Sequence, residues 1–165
     1  MSRRAAAVLI CAAALTAQAQ VMGEEAELER LAAKAEDAIA GGDPEAAAMN
    51  SGRAALMAAQ LAARQTVPSL GQMFKGAEAL FRGQEHAYRA MALFQRAGGE
   101  LPASSGVCRT VGLAGESVRR AEALLAIDVM TLPTADRIRQ TQQWHDAAAG
   151  WTGMVEGMTT DFQCQ

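Results

Sequence analysis

Apolar residues along this chain recur every three or four positions, the period of an α-helix rather than that of a strand. Leu28, Leu31, Ala35 and Ile39 set a first stripe, with acidic residues crowding its start and Gly41-Gly42 closing it. Asp43-Pro44 then caps and opens a second helix. It runs to about Thr66 with Met49, Leu56, Ala59, Ala63 and Val67 as its apolar positions, and Pro68 ends it.

A third helix is predicted behind a Ser69 cap, with Leu70, Met73, Ala77, Leu80, Ala87, Met91 and Phe94 on one face and Phe74, Phe81 and Tyr88 beside them. Glu78–Arg82 and Glu85–Arg89 mark its opposite, solvated face, and Gly98-Gly99 terminates it. The fourth stripe is Val111, Ala114, Val118, Ala121 and Leu125, which predicts a helix from about Val107 to Met130 with Glu116–Arg120 outside. Leu132-Pro133 breaks the chain. Thr134 caps a fifth helix, to about Thr160, whose stripe is Trp144, Ala148, Trp151, Val155, Met158 and Phe162. Short connections between long helices make sequential helices antiparallel neighbours. The predicted fold is therefore all-α, an up-and-down antiparallel bundle of four to five helices in one domain over residues 20–165.

Composition agrees with this pattern. Half the residues are apolar, much of that alanine, and only 4% are aromatic, a balance that favours helix over sheet. Residues 1–19, MSRRAAAVLICAAALTAQA, change the picture more. Two arginines precede an uncharged run from Ala5 to Thr16, and Ala17-Gln18-Ala19 offers small residues to a signal peptidase, so a secretory leader cut after Ala19 is expected. The run is shorter than the roughly 20 residues a spanning helix needs, so no stable membrane anchor is expected once the leader is removed. The exported chain would be periplasmic, in a Gram-negative cell. It would keep 13 basic residues against 18 acidic ones and no basic stripe, which argues against nucleic acid as a partner.

Loss of the leader removes Cys11 and leaves Cys108 and Cys164. Two thiols in an oxidising compartment predict a disulfide. Folding the last two helices about Leu132 sets Cys108 opposite Glu156, two turns short of Cys164. The bridge therefore requires either a tail that bends back or helices that are offset.

Candidate chemistry is thin. There is no G-x-S-x-G, no glycine-rich phosphate loop, no free cysteine to pair with a histidine and no C-x-x-C-H, so no enzyme activity and no cofactor are expected. His86 sits among Arg82 and Arg89 on the charged face of the third helix. His145, Met154 and Met158 offer imidazole and thioether, the soft donors of a copper(I) or haem carrier, and this is the alternative reading. Gly112 and Gly115 lie inside the fourth helix and Gly150, Gly153 and Gly157 inside the fifth, each costing about 1 kcal/mol relative to alanine. They imply close packing of those two helices or a groove for a partner, and Trp144 and Trp151 pose the same choice between core and interface anchor.

By elimination the chain acts through protein contacts, with other envelope proteins or with itself. In export signal, helical content and absence of catalytic residues it resembles, in architecture alone, the periplasmic bundle subunits of type IV (conjugative) secretion machinery. That likeness implies an accessory or structural role in a cell-envelope assembly. A periplasmic helical chaperone is a further alternative, although LPTAD at Leu132–Asp136 does not match the L-T-x-x-Q pattern of such proteins.

Overall fold

A computed structural model describes residues 23–164. The expected leader at residues 1–19, with Cys11, lies outside them. The described residues form five α-helices: α1 (23–40), α2 (Pro44–Arg64), α3 (Pro68–Arg96), α4 (Ser105–Leu125) and α5 (Ala135–Asp161). A single turn of 3-10 helix, Val129–Thr131, interrupts the link between the last two. No strand occurs among the described residues. The all-α bundle and its one disulfide are as the sequence pattern predicts.

Helix ends follow local chemistry. Asp43 accepts a hydrogen bond from the Ala46 amide, Ser104 from Val107 and Thr134 from Arg137, each satisfying an amide the helix leaves unpaired. Helices α1, α3 and α5 close in the same way at their C-termini. Asp43 N–H donates to Ala38 O and Gly42 N–H to Ile39 O, with Gly42 at φ 81°. Gly99 N–H donates to Phe94 O and Gly98 N–H to Gln95 O, with Gly98 at φ 80°. At the end of α5, Cys164 N–H donates to Thr159 O and Gln163 N–H to Thr160 O. Here the left-handed position belongs to Gln163, at φ 53°, rather than to glycine.

Two boundaries differ from expectation. Ser69 does not cap α3. Pro68 already fits the first helical position, so α3 starts there, and the Ser69 hydroxyl instead donates to Thr131 O at 2.8 Å, tying α3 to the α4–α5 link. Helix α4 stops at Leu125, short of Met130. Asp128 captures the Met130 amide with its carboxylate and starts the 3-10 turn, a local bond that competes with continued helix.

Helix α3 is the centre of the molecule. Its Phe74, Phe81 and Tyr88 face α1 and α5, its Gly76 and Gly83 face α4, and its Glu85 faces α2. A Cβ at Gly76 would lie 2.5 Å from Leu125 Cγ, and one at Gly83 2.4 Å from Val118 Cγ1, so α3 and α4 meet where side chains are missing. Central placement is also why Glu85 is not on a solvated face as expected; it is 7% exposed.

The stripe predicted for α2 is reversed. Met49 and Leu56 are 52% and 54% exposed, and Ala63 and Val67 also face outward. The buried face is Ala47, Ala48, Ser51, Ala54, Ala55, Ala58, Leu61 and Ala62. Two apolar stripes with the same helical period run along α2, and the alanine stripe lets α2 approach α1 and α3 more closely.

Cys108 and Cys164 form a disulfide with Cα atoms 5.2 Å apart. The register that permits it is set along α4 and α5. A Cβ at Gly115 would lie 3.5 Å from Val155 Cγ1, and Thr152 Oγ1 donates to Glu122 at 2.9 Å. Seven residues back from Gly115 is Cys108; seven beyond Val155 is Phe162. The helices are offset by the long link 126–134, and the turn at Gln163 covers the remaining distance. Phe162 stacks on Phe94 with ring centroids 4.4 Å apart, and its carbonyl accepts from Ala103 N–H, so the tail is fixed on three sides.

Candidate functional site

The tryptophans point inward. Trp144 meets Phe74 and Phe81 at centroid distances of 6.0 and 6.5 Å, and Trp151 meets Tyr88 edge-on at 5.2 Å. Both are half-buried between α5 and α3, where their apolar area closes the core. Gly150, Gly153 and Gly157 lie on the other side of α5. A Cβ at any of the three would have no atom within 4 Å, so they are not the seam between α4 and α5. Gly112 is equally open, and only Gly115 looks toward α5.

The metal-donor set is not gathered. His145 and Met154 are nine residues apart on one continuous helix, about 13 Å of axial rise, and Met158 is a turn further still. Met158 is buried in the core while Met154 is 52% exposed. The His145 ring sits 3.9 Å from the Asp146 carboxylate. Among the described residues no three His, Cys, Asp or Glu side chains group closely enough to hold a metal ion. No helix there is long and apolar enough to cross a membrane.

A surface groove of about 730 Å³ lies between α2 and α3. Met49, Leu56 and Leu93 give it an apolar lining, and its charged lining is Arg53, Arg82, Arg89 and Arg96 together with Asp43, Glu45 and Glu85. Beneath the arginines lies Glu85. Arg82 donates to one of its oxygens at 2.8 Å and Arg89 to the other at 2.6 Å, so a nearly buried carboxylate is held by two guanidinium groups. Gly52 makes the space: a Cβ there would come within 3.0 Å of the Glu85 carboxyl carbon. Arg96 reaches Glu45 at 3.7 Å, a loose surface contact, and Arg53 has no ion pair among the described residues. Asp43, Glu45 and Glu85 thus offset three of the four arginine charges and leave one positive charge in excess. Each guanidinium carries five donors, and Arg89 spends one on Glu85, so the rim keeps donors for another carboxylate.

Burial around this region also sets two titrations. Desolvation holds the His86 imidazole below its usual 6.5, with Arg89 and Arg82 adding to the effect and Glu85 opposing it. Desolvation between α3 and Trp151 pushes the Tyr88 phenol up to about 12, with a smaller contribution from Glu36.

Sequence reasoning did not find the groove. Met49 and Leu56 carried the signal, but their helical spacing read as core. Arg82, Arg89 and Arg96 recur every seven residues on α3, a short cationic row inside the helix the sequence already predicted, so the reading that the chain has no basic stripe missed it. Comparison of the chain with protein-family models, with curated proteins and with solved structures found no match.

Proposed function

We propose that this chain is an exported, non-catalytic helical protein of the Gram-negative periplasm. It acts through protein contacts as an accessory or structural subunit of a cell-envelope assembly, of the kind found in type IV secretion machinery. The observation that carries the contact role is the α2–α3 groove, which leaves Met49 and Leu56 half-exposed on an apolar surface flanked by four arginines and three acidic residues. Protein interfaces combine these two elements, an apolar centre that sheds water and a polar rim rich in arginine. An amphipathic helix laid into a groove is the simplest occupant of such a shape.

Export is supported by the leader-like residues 1–19 and by the Cys108–Cys164 disulfide, since such bonds persist in oxidising compartments. The experiment is photocrosslinking in exporting cells. A photoreactive residue replacing Leu56 is expected to capture a protein, whereas one at exposed Glu100 serves as the control. Capture of nothing from Leu56 refutes the contact role.

A further inference from the structure

We infer that the groove takes a second copy of this chain, which lays the outer face of its α5 between α2 and α3. The inference rests on the reading of the groove as a protein-contact surface and names its occupant.

Charge is the first argument. From Gln140 to Gln165 the chain contains no lysine or arginine, so the greater part of α5 is acidic or neutral, while the groove sets four arginines against Asp43, Glu45 and Glu85 and keeps a positive excess. Spacing is the second. Asp146, Gly150, Gly153, Gly157 and Asp161 follow one another at intervals of four, three, four and four, which places them on a single outward stripe of α5, and all five are exposed. The two carboxylates are fifteen residues apart, about 22 Å along the helix. Arg82 and Arg96 are fourteen residues apart on α3, about 21 Å, with Arg89 midway. Acidic stripe and arginine row therefore have the same length.

Shape is the third argument. Along this stripe, between the two aspartates, α5 shows backbone at Gly150, Gly153 and Gly157, where an added Cβ would meet nothing within 4 Å. Bare backbone lets a helix settle deep between two others, and it accounts for glycine at positions where alanine would favour the helix by about 1 kcal/mol each. Met154, exposed beside this stripe, supplies an apolar contact for Met49 and Leu56.

The contact is heterologous. Helix α5 covers α3 on the side of Phe74, Phe81 and Tyr88, whereas Arg82 and Arg89 leave α3 toward solvent elsewhere. Each copy thus presents both halves of the interface, and association can propagate from copy to copy or close into a ring.

The test uses the oxidised, leader-free protein in sedimentation velocity, with two charge-reversed variants. One carries Asp146→Arg and Asp161→Arg; the other carries Arg53→Asp and Arg96→Asp. None of these residues holds the core, and the Arg82–Glu85–Arg89 cluster is left intact. Wild type is expected to self-associate, less so as salt is raised. Each variant alone is expected to bind itself at least about tenfold more weakly, and an equimolar mixture of the two is expected to recover association. Wild type that stays monomeric, or variants that associate like wild type, overturns the inference. If the Leu56 crosslinker in cells captures another envelope protein and never this chain, the occupant is wrong while the contact role stands. If it captures nothing, both fail.

Discussion

Replacing Gly83 with alanine puts a methyl group where α3 and α4 leave no room for one. The new Cβ would lie 2.4 Å from Val118 Cγ1, 3.3 Å from the Val118 backbone nitrogen and 3.4 Å from the Ala114 carbonyl oxygen. Val118 is fully buried and β-branched, so its side chain has little freedom to turn away, and the other two atoms belong to the α4 backbone. Relief requires α4 to shift as a body. Overpacking of this kind costs about 3 kcal/mol at its upper range, and the helical preference for alanine returns about 1, leaving a net loss of about 2 kcal/mol. For a domain of this size that lowers the melting temperature by about 8 °C. Gly150→Ala makes the same chemical change on α5, where the methyl group meets nothing within 4 Å, and is expected to raise stability by about 1 kcal/mol. Thermal and urea unfolding of both variants, followed by circular dichroism at low protein concentration, measures the contrast. Adding Val118→Ala to Gly83→Ala gives a further check, because a shared space makes the double variant less unstable than the two single losses added together. Gly83→Ala melting at or above wild type refutes the close α3–α4 contact. Gly150→Ala melting well below wild type refutes the open face on α5.

Other outcomes follow from single features. Reducing the Cys108–Cys164 bond, or replacing both cysteines with serine, releases a loop with a separation of 56 residues and is expected to cost about 4 kcal/mol, read as a lower urea midpoint. Tyr88 is the chain's one tyrosine, so phenolate absorbance reports it alone; the midpoint is expected near 12 in the folded protein and near 10 in denaturant. Because the folded value is the higher one, the matching stability is complete below pH 10 and is lost as pH rises toward 12. The sign is opposite for His86, whose folded value is depressed: its contribution is complete above pH 6.5 and lost as pH falls, and His86→Gln should flatten stability measured across that range. Gln163→Gly relieves a left-handed residue of its Cβ and is expected to stabilise the tail by about 1 kcal/mol, seen as slower hydrogen exchange at the Cys164 amide.

The helical period, the capping residues at Asp43 and Thr134, the Gly42 and Gly98 terminations and the pairing of two cysteines were all legible in the chain, because each depends on neighbours within about one turn or on counting. The stripes of α4 and α5 were legible too, since each of those helices has one apolar face. Helix α2 has two, and local periodicity carries no information about which one a neighbouring helix will cover. The alanine face is the one that packs against α1 and α3, and Met49 and Leu56 are left in the groove. Glu85 shows the same limit. Its i,i+4 partner Arg89 suggested a solvated pair, and only the central position of α3, together with the space at Gly52, put that carboxylate under α2. The glycines divide the same way. Their cost to a helix can be read from sequence, but whether it is repaid at a tight seam, as at Gly76 and Gly83, or left open on a surface, as at Gly150 and Gly153, is decided by contacts between segments distant in the chain. Sequence alone determined which segments coil and most of the places where they stop, through bonds made within a few residues. Tertiary packing decided which of the two apolar faces of α2 meets a neighbour and which glycines are sealed, because those choices compare contacts across the whole molecule.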